Sequence, residues 1–134
     1  MQKSEKTGVL WAAWGAFFCA AAVILAAAGD HLVAKDVGAR ALHVYDIANR
    51  FQFYQGLGLI VLGLAAAQWG ERRLWTWTGV LMLLGLLLFS GGLYLVAILG
   101  RQYAFLAPIG GSAMILSWLV FAFGLWRCRS EPGR

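Results

Sequence analysis

The sequence predicts an all-α integral membrane protein, a bundle of four antiparallel transmembrane helices with a short amphipathic helix between the first two. Three observations carry this. Four runs, 8–29, 51–70, 74–100 and 102–126, hold no charged side chain. Each is 20 residues or longer, the length that at ~1.5 Å per residue crosses ~30 Å of hydrocarbon. Together they occupy 94 of 134 residues, so residues 1–134 form one membrane domain with no room for a soluble one. The composition, 61% hydrophobic and 13% charged, lies far from the ~25% charged typical of soluble domains.

The first span, 8–29, follows Lys3 and Lys6 and ends in Ala26, Ala27 and Ala28, as a secretory signal might. Its 22 uncharged residues exceed the ~7–15-residue core of a signal, which favours an uncleaved helix. Ala12, Ala16 and Ala20 at four-residue spacing, with Gly15 and Cys19 beside them, offer a small-residue face for close helix packing. Cys19 lies midway down this span and Cys128 just beyond the fourth, too far apart in depth for a disulfide.

Residues 36–50 carry apolar positions at Val37, Ala41, Val44, Tyr45 and Ala48, near helical spacing, among Asp36, Arg40, His43, Asp46 and Arg50. This pattern predicts an amphipathic helix at the outer interface that feeds the second span, 51–70. Glu71, Arg72 and Arg73 form the turn to the third span, 74–100, and Arg101 marks the turn to the fourth, 102–126. Such short connections make neighbouring helices antiparallel. Pro108, early in the fourth span, either starts that helix or kinks it.

Four spans place both termini on one side, with Lys3, Lys6, Arg72, Arg73, Arg127, Arg129 and Arg134. Lys35, Arg40, Arg50 and Arg101 lie on the other. The excess of basic residues predicts cytoplasmic termini in a bacterial inner membrane. Trp11, Trp14, Trp69, Trp75, Trp77 and Trp126 cluster near that side, and Tyr45, Tyr54, Tyr94 and Tyr103 near the other, as interfacial anchors do. Trp118 alone sits deep, where its indole N–H needs a partner.

Uncharged polar residues gather in the outer half of the bundle: Gln52 and Gln55, Ser90 and Tyr94, and Ser112. Bare amides and hydroxyls are costly in hydrocarbon, so these five are expected to face inward. They act there as interhelical glue, or as the wall of a small polar pocket roofed by Asp30, His31, Asp46 and Arg50.

Several functions are excluded on chemical grounds. The net charge of +5 is scattered over helix ends and forms no stripe for nucleic acid. The only histidines, His31 and His43, fit no metal-site spacing and lie outside the spans, which argues against metal and haem. No span carries an ionisable Asp, Glu, Lys or Arg for ion or proton coupling. No nucleophile elbow or triad is present, so neither enzyme activity nor a cofactor is expected.

Two stretches, Phe89-Ser90-Gly91-Gly92-Leu93-Tyr94-Leu95 and Ala107-Pro108-Ile109-Gly110-Gly111, resemble the signature segments of the YgdD-like family of small four-span membrane proteins. Gly29-Asp30-His31 is similar to that family's Gly-Ala-His element. The stretch from Ala48 to Gln55 is similar to its span-two entry, with Gln55 standing where the family pattern has a histidine. The resemblance implies a four-span fold and a membrane location, but no settled activity. Its positions Gln52, Gln55, Ser90 and Tyr94 are those picked out above by depth. The expected role is a non-enzymatic accessory or stabilising subunit whose partners are the lipid bilayer and either a larger membrane assembly or further copies of itself. The alternative is a binding or transport module for a neutral or amphipathic small molecule such as a lipid or quinone.

Overall fold

The computed structural model describes residues 2–70 and 72–129, with the Ser4 side chain left aside. Glu71 of the second turn and Arg134 of the basic terminus therefore lie outside the described residues. Among those described, all regular structure is helical, and four helices are long and apolar enough to cross a membrane.

Helix α1 spans residues 3–36. It is α-helical over Lys3–Ala28, widens to a π-helical turn at Gly29–Val33, and closes with Ala34–Asp36. Helix α2 is one unbroken element, Ala39–Trp69. Helix α3 spans 73–99 as Arg73–Gly85, a π-helical turn Leu86–Ser90, and Gly91–Leu99. A 3-10 turn, Arg101–Tyr103, leads to helix α4, Leu106–Arg129.

The amphipathic helix expected over 36–50 forms from Ala39 onward, but as the first turns of α2 and not as a separate element. At 31 residues, or ~46 Å, α2 is longer than ~30 Å of hydrocarbon requires. Its apolar face explains the continuity: Tyr45 and Ala48 are buried, and the Tyr45 ring lies against Gly29 of α1. The same face that would have rested on a membrane surface is taken up by a helix.

Both tight turns rest on glycine. Gly70 and Gly100 end α2 and α3 with φ of 77° and 116°, a region open to glycine at little cost. The Trp75 indole N–H donates to Gly70 O at 3.1 Å and fastens the first of these turns. Helix α4 begins later than the uncharged run does, because 101–105 form the 3-10 turn and its exit. Pro108 falls in the first turn of α4, where its missing N–H costs nothing. It starts the helix.

Packing is uneven. Helix α1 packs chiefly on α2, α4 packs chiefly on α3, and α2 also packs on α3. Half of the membrane-crossing stretch of α2 is buried, against 11% for α1. The apolar core toward the termini joins Leu59, Leu62, Ala65 and Ala66 of α2 with Trp75 and Met82 of α3 and Phe121 of α4.

The α1–α2 seam keeps only part of the small-residue face expected: Ala12 lies against Gly63, and Gly15 and Cys19 against Gly56, whereas Ala16 and Ala20 are exposed. Gly8, Gly15, Ala22 and Gly29, seven residues apart, are buried. Gly8 and Gly15 meet Gly63 and Gly56, also seven apart, and Gly29 meets the Tyr45 ring. A methyl on Gly8 would stand 2.6 Å from Gly63 O, and one on Gly15 2.5 Å from Gly56 O. Alanines three or four apart define a face only if the helix phase is known, and a seven-residue repeat of small residues supplies that phase.

Gly56→Val should therefore force α1 off α2 and lower unfolding stability by about 2 kcal/mol or more. Gly91→Ala, at a site with nothing within 4 Å, should be neutral or slightly stabilising. Equilibrium unfolding in mixed micelles measures both. Equal losses for the two variants would refute the seam.

Candidate functional site

Four polar residues of α2, Tyr45, Asn49, Gln52 and Gln55, recur at intervals of three or four and so share one face. Antiparallel to them, α1 presents carbonyls at Leu25, Ala22 and Phe18. The Tyr45 hydroxyl donates to Leu25 O at 2.7 Å, Asn49 Nδ2 to Ala22 O at 2.6 Å, and Gln52 Nε2 to Phe18 O at 3.1 Å. Three successive side chains thus climb α1 turn by turn. The glycine seam makes this possible, since side chains this short reach a backbone oxygen only when the helix axes lie close.

The network then crosses to the other helices. Asn49 Nδ2 also donates to the Tyr94 hydroxyl at 3.2 Å, and that hydroxyl donates to Gln52 Oε1 at 2.9 Å. The Tyr45 and Tyr94 rings meet edge to face with centroids 4.8 Å apart. Deeper in, Gln55 Nε2 donates to Met82 O at 3.4 Å. The Trp118 indole N–H donates to Gln55 Oε1 at 2.8 Å, the partner its depth demanded, although 43% of the residue stays exposed. Gln55 alone among these side chains bonds α3 and α4 at once.

Of the residues singled out from sequence, Gln52 and Tyr94 bond each other, while Gln55 forms a separate, deeper group with Trp118 and the Met82 carbonyl. Ser90 is buried but bonds none of them. Ser112 stands apart: it is exposed and donates back to Pro108 O in its own helix at 2.8 Å. Gly110, Met114, Ser117 and Phe121 set the inward face of α4, and Ser112, two residues from Gly110, lies ~200° round from it. Helix phase turns Ser112 outward.

The proposed roof does not close. Asp30, His31, Asp46 and Arg50 are all exposed, and none bonds into the network. Asp46 and Arg50 each follow an inward-facing donor, the buried Tyr45 and the half-buried Asn49, and one residue is ~100° of helix turn. Asn49 and Tyr45 belong to the network but were missed as members of the cluster. The signal that finds them is their spacing of four and seven residues from Tyr45 to Gln52, continued out of the uncharged run.

Chemically the arrangement binds helices. Its groups are amides, phenols and an indole, and the joined ones spend their donors on one another or on backbone oxygens. No group of three or more His, Cys, Asp or Glu converges among the described residues. Cys19 and Cys128 are free thiols, and Cys19 Sγ points at Phe53 O, 3.7 Å away.

Asn49→Leu removes two interhelical bonds, each worth about 0.6 kcal/mol on average in membrane proteins, and should lower stability by roughly 1 kcal/mol. Ser112→Ala should leave it unchanged. The same mixed-micelle unfolding reads both, and a larger loss for Ser112→Ala would contradict the network.

Residues 25–111 match the model of the family described as "Protein of unknown function (DUF423)". That segment holds Tyr45, Asn49, Gln52, Gln55, Ser90 and Tyr94. The chain is 32% identical over 114 residues to UPF0382 membrane protein SSP2132 of Staphylococcus saprophyticus, covering 84% of this chain and 93% of that one. It is 34% identical over 107 residues to a UPF0382 membrane protein of Staphylococcus epidermidis, covering 79% and 86%. It is 32% identical over 111 residues to the UPF0382 inner membrane protein YgdD of Escherichia coli K12, covering 81% and 83%. No solved structure matches. The resemblance read from the span-three and span-four signatures holds over most of the chain, which belongs to the DUF423 family of membrane proteins of unknown function.

Proposed function

We propose that this protein is a non-enzymatic accessory or stabilising subunit of a larger assembly in the bacterial inner membrane, with both termini in the cytoplasm. One observation carries the reading. Gln52, Gln55 and Tyr94, the pocket candidates that face inward with bonding partners, spend those bonds on other helices, while α1 leaves most of its crossing surface outside the bundle. The interior is committed to holding four helices together, and the large available surface is apolar and lateral. Val9, Leu10, Trp14, Phe17, Val23 and Ile24 of α1 are all exposed.

Orientation is supported by charge. Among the described residues, Lys3, Lys6, Arg72, Arg73, Arg127 and Arg129 lie at the helix ends on the side of the termini. The Arg127 guanidinium sits 5.9 Å from the Phe123 ring, close to Trp126 at the end of α4. The Escherichia coli relative's printed name, inner membrane protein, supports the compartment.

The test is affinity purification of a tagged copy at native expression in mild detergent, with native sizing and mass spectrometry. A reproducible complex with defined partners is the expected result. A species of one to three copies of the 14.6 kDa chain with bound lipid or quinone would instead favour a binding or transport module. Single-cysteine labelling at Lys6 and at Asp46 in intact cells should modify only Asp46→Cys from outside; the reverse pattern would invert the topology.

A further inference from the structure

Most described hydroxyls in these helices have an ordinary refuge. Thr7, Thr78 and Ser112 donate to the carbonyl four residues back, and Ser117 to the carbonyl three back. Ser90 is different. It is 1% exposed, and its Oγ meets no hydrogen-bond partner among the described residues. Buried hydroxyls are seldom left so, and one within a membrane bundle has no bulk water to turn to.

The cause lies in the backbone. Ser90 ends the π-helical turn Leu86–Ser90, in which the Gly91 N–H donates to Leu86 O, five residues back, and to Leu88 O. The turn is wider than an α-helical one, so the carbonyl four residues back no longer lies beneath the side chain. The Leu87 carbonyl, which an unbroken α-helix would pair with that N–H, is passed over. The turn packs against both α2 and α4, and Gly110 of α4 lies so close that a methyl there would stand 2.7 Å from the Leu88 carbonyl carbon. Helix packing thus holds the widened turn from the side.

On α3, Ser90 lies one turn from Tyr94, which bonds Gln52, and two turns from Met82, whose carbonyl takes the Gln55 amide. Ser90 therefore falls between the levels of the two glutamines. The Gln55 bond, at 3.4 Å, is long for an N–H···O bond and is the only one its Nε2 makes among the described residues, although the residue is 1% exposed. An unpartnered hydroxyl and an under-used amide donor thus fall at neighbouring levels of the bundle interior.

We propose that this layer is a binding site for a single water molecule, which accepts from Gln55 Nε2 and exchanges a hydrogen bond with Ser90 Oγ. Two to four polar partners are what an ordered internal water requires. The water ties the π-turn of α3 to α2, so the turn is a built polar seat and not a packing flaw. The inference does not depend on the accessory-subunit reading, because it concerns the interior alone.

The experiment uses the full chain, labelled with nitrogen-15 and held in lipid nanodiscs, and reads magnetisation transfer from long-lived water to the Gln55 side-chain amide protons. The expected result is a cross-peak in the wild type that Ser90→Ala abolishes, together with a lower melting midpoint for Ser90→Ala. An absent cross-peak in the wild type overturns the proposal even if the variant fails to fold. An equal or higher melting midpoint for Ser90→Ala also overturns it, because deleting a hydroxyl that nothing satisfies would relieve the protein.

Discussion

A helix with almost no polar side chains can be hydrogen-bonded to a neighbour in lipid only through its backbone, and α1 is held in that way. Its uncharged run has polar side-chain atoms only at Trp11, Trp14 and Cys19. The bonds that secure it run from Tyr45, Asn49 and Gln52 on α2 to the oxygens of Leu25, Ala22 and Phe18. Those oxygens lie within reach because Gly8, Gly15, Gly56 and Gly63 let the two backbones nearly touch. Close approach and polar reach are one constraint: a larger residue in the seam would lengthen every bond above it.

From this follows the unequal role of the helices. Helix α2 serves as the hub, since its small residues receive α1 while Gln52 and Gln55 engage α3 and α4. Helix α1, joined mainly to α2, keeps a broad apolar surface outside the bundle. The interior polar groups are neutral, so the network adds helix–helix specificity without placing a charge in hydrocarbon. In such an architecture the bonds that join the helices leave the outer apolar surface of α1 untouched.

The two π-helical turns mark where local helical regularity yields to packing. In α1 the widened turn starts at Gly29, against the Tyr45 ring; in α3 it runs to Ser90 with Gly110 pressed on its backbone. Both lie where a bulky or backbone neighbour sits closer than a regular helix would accommodate. A π-turn adds one residue within a helix and so shifts the facing of all that follows. In α3 that shift helps bring both Met82 and Tyr94 onto α2.

By itself the sequence determined the four apolar spans and the short turns that join them. Those features depend on how far an uncharged run extends, which is read along the chain. It also singled out Gln52, Gln55, Ser90 and Tyr94, because polar atoms within apolar runs are visible one at a time. Only the tertiary structure decided which way each pointed. Ser112 turns outward, Ala16 and Ala20 lie off the seam, and Asn49 and Tyr45 enter the network from a segment that reads as interfacial. Depth is a one-dimensional property of the chain. Facing depends on helix phase, which π-turns reset and which neighbouring helices select by contact.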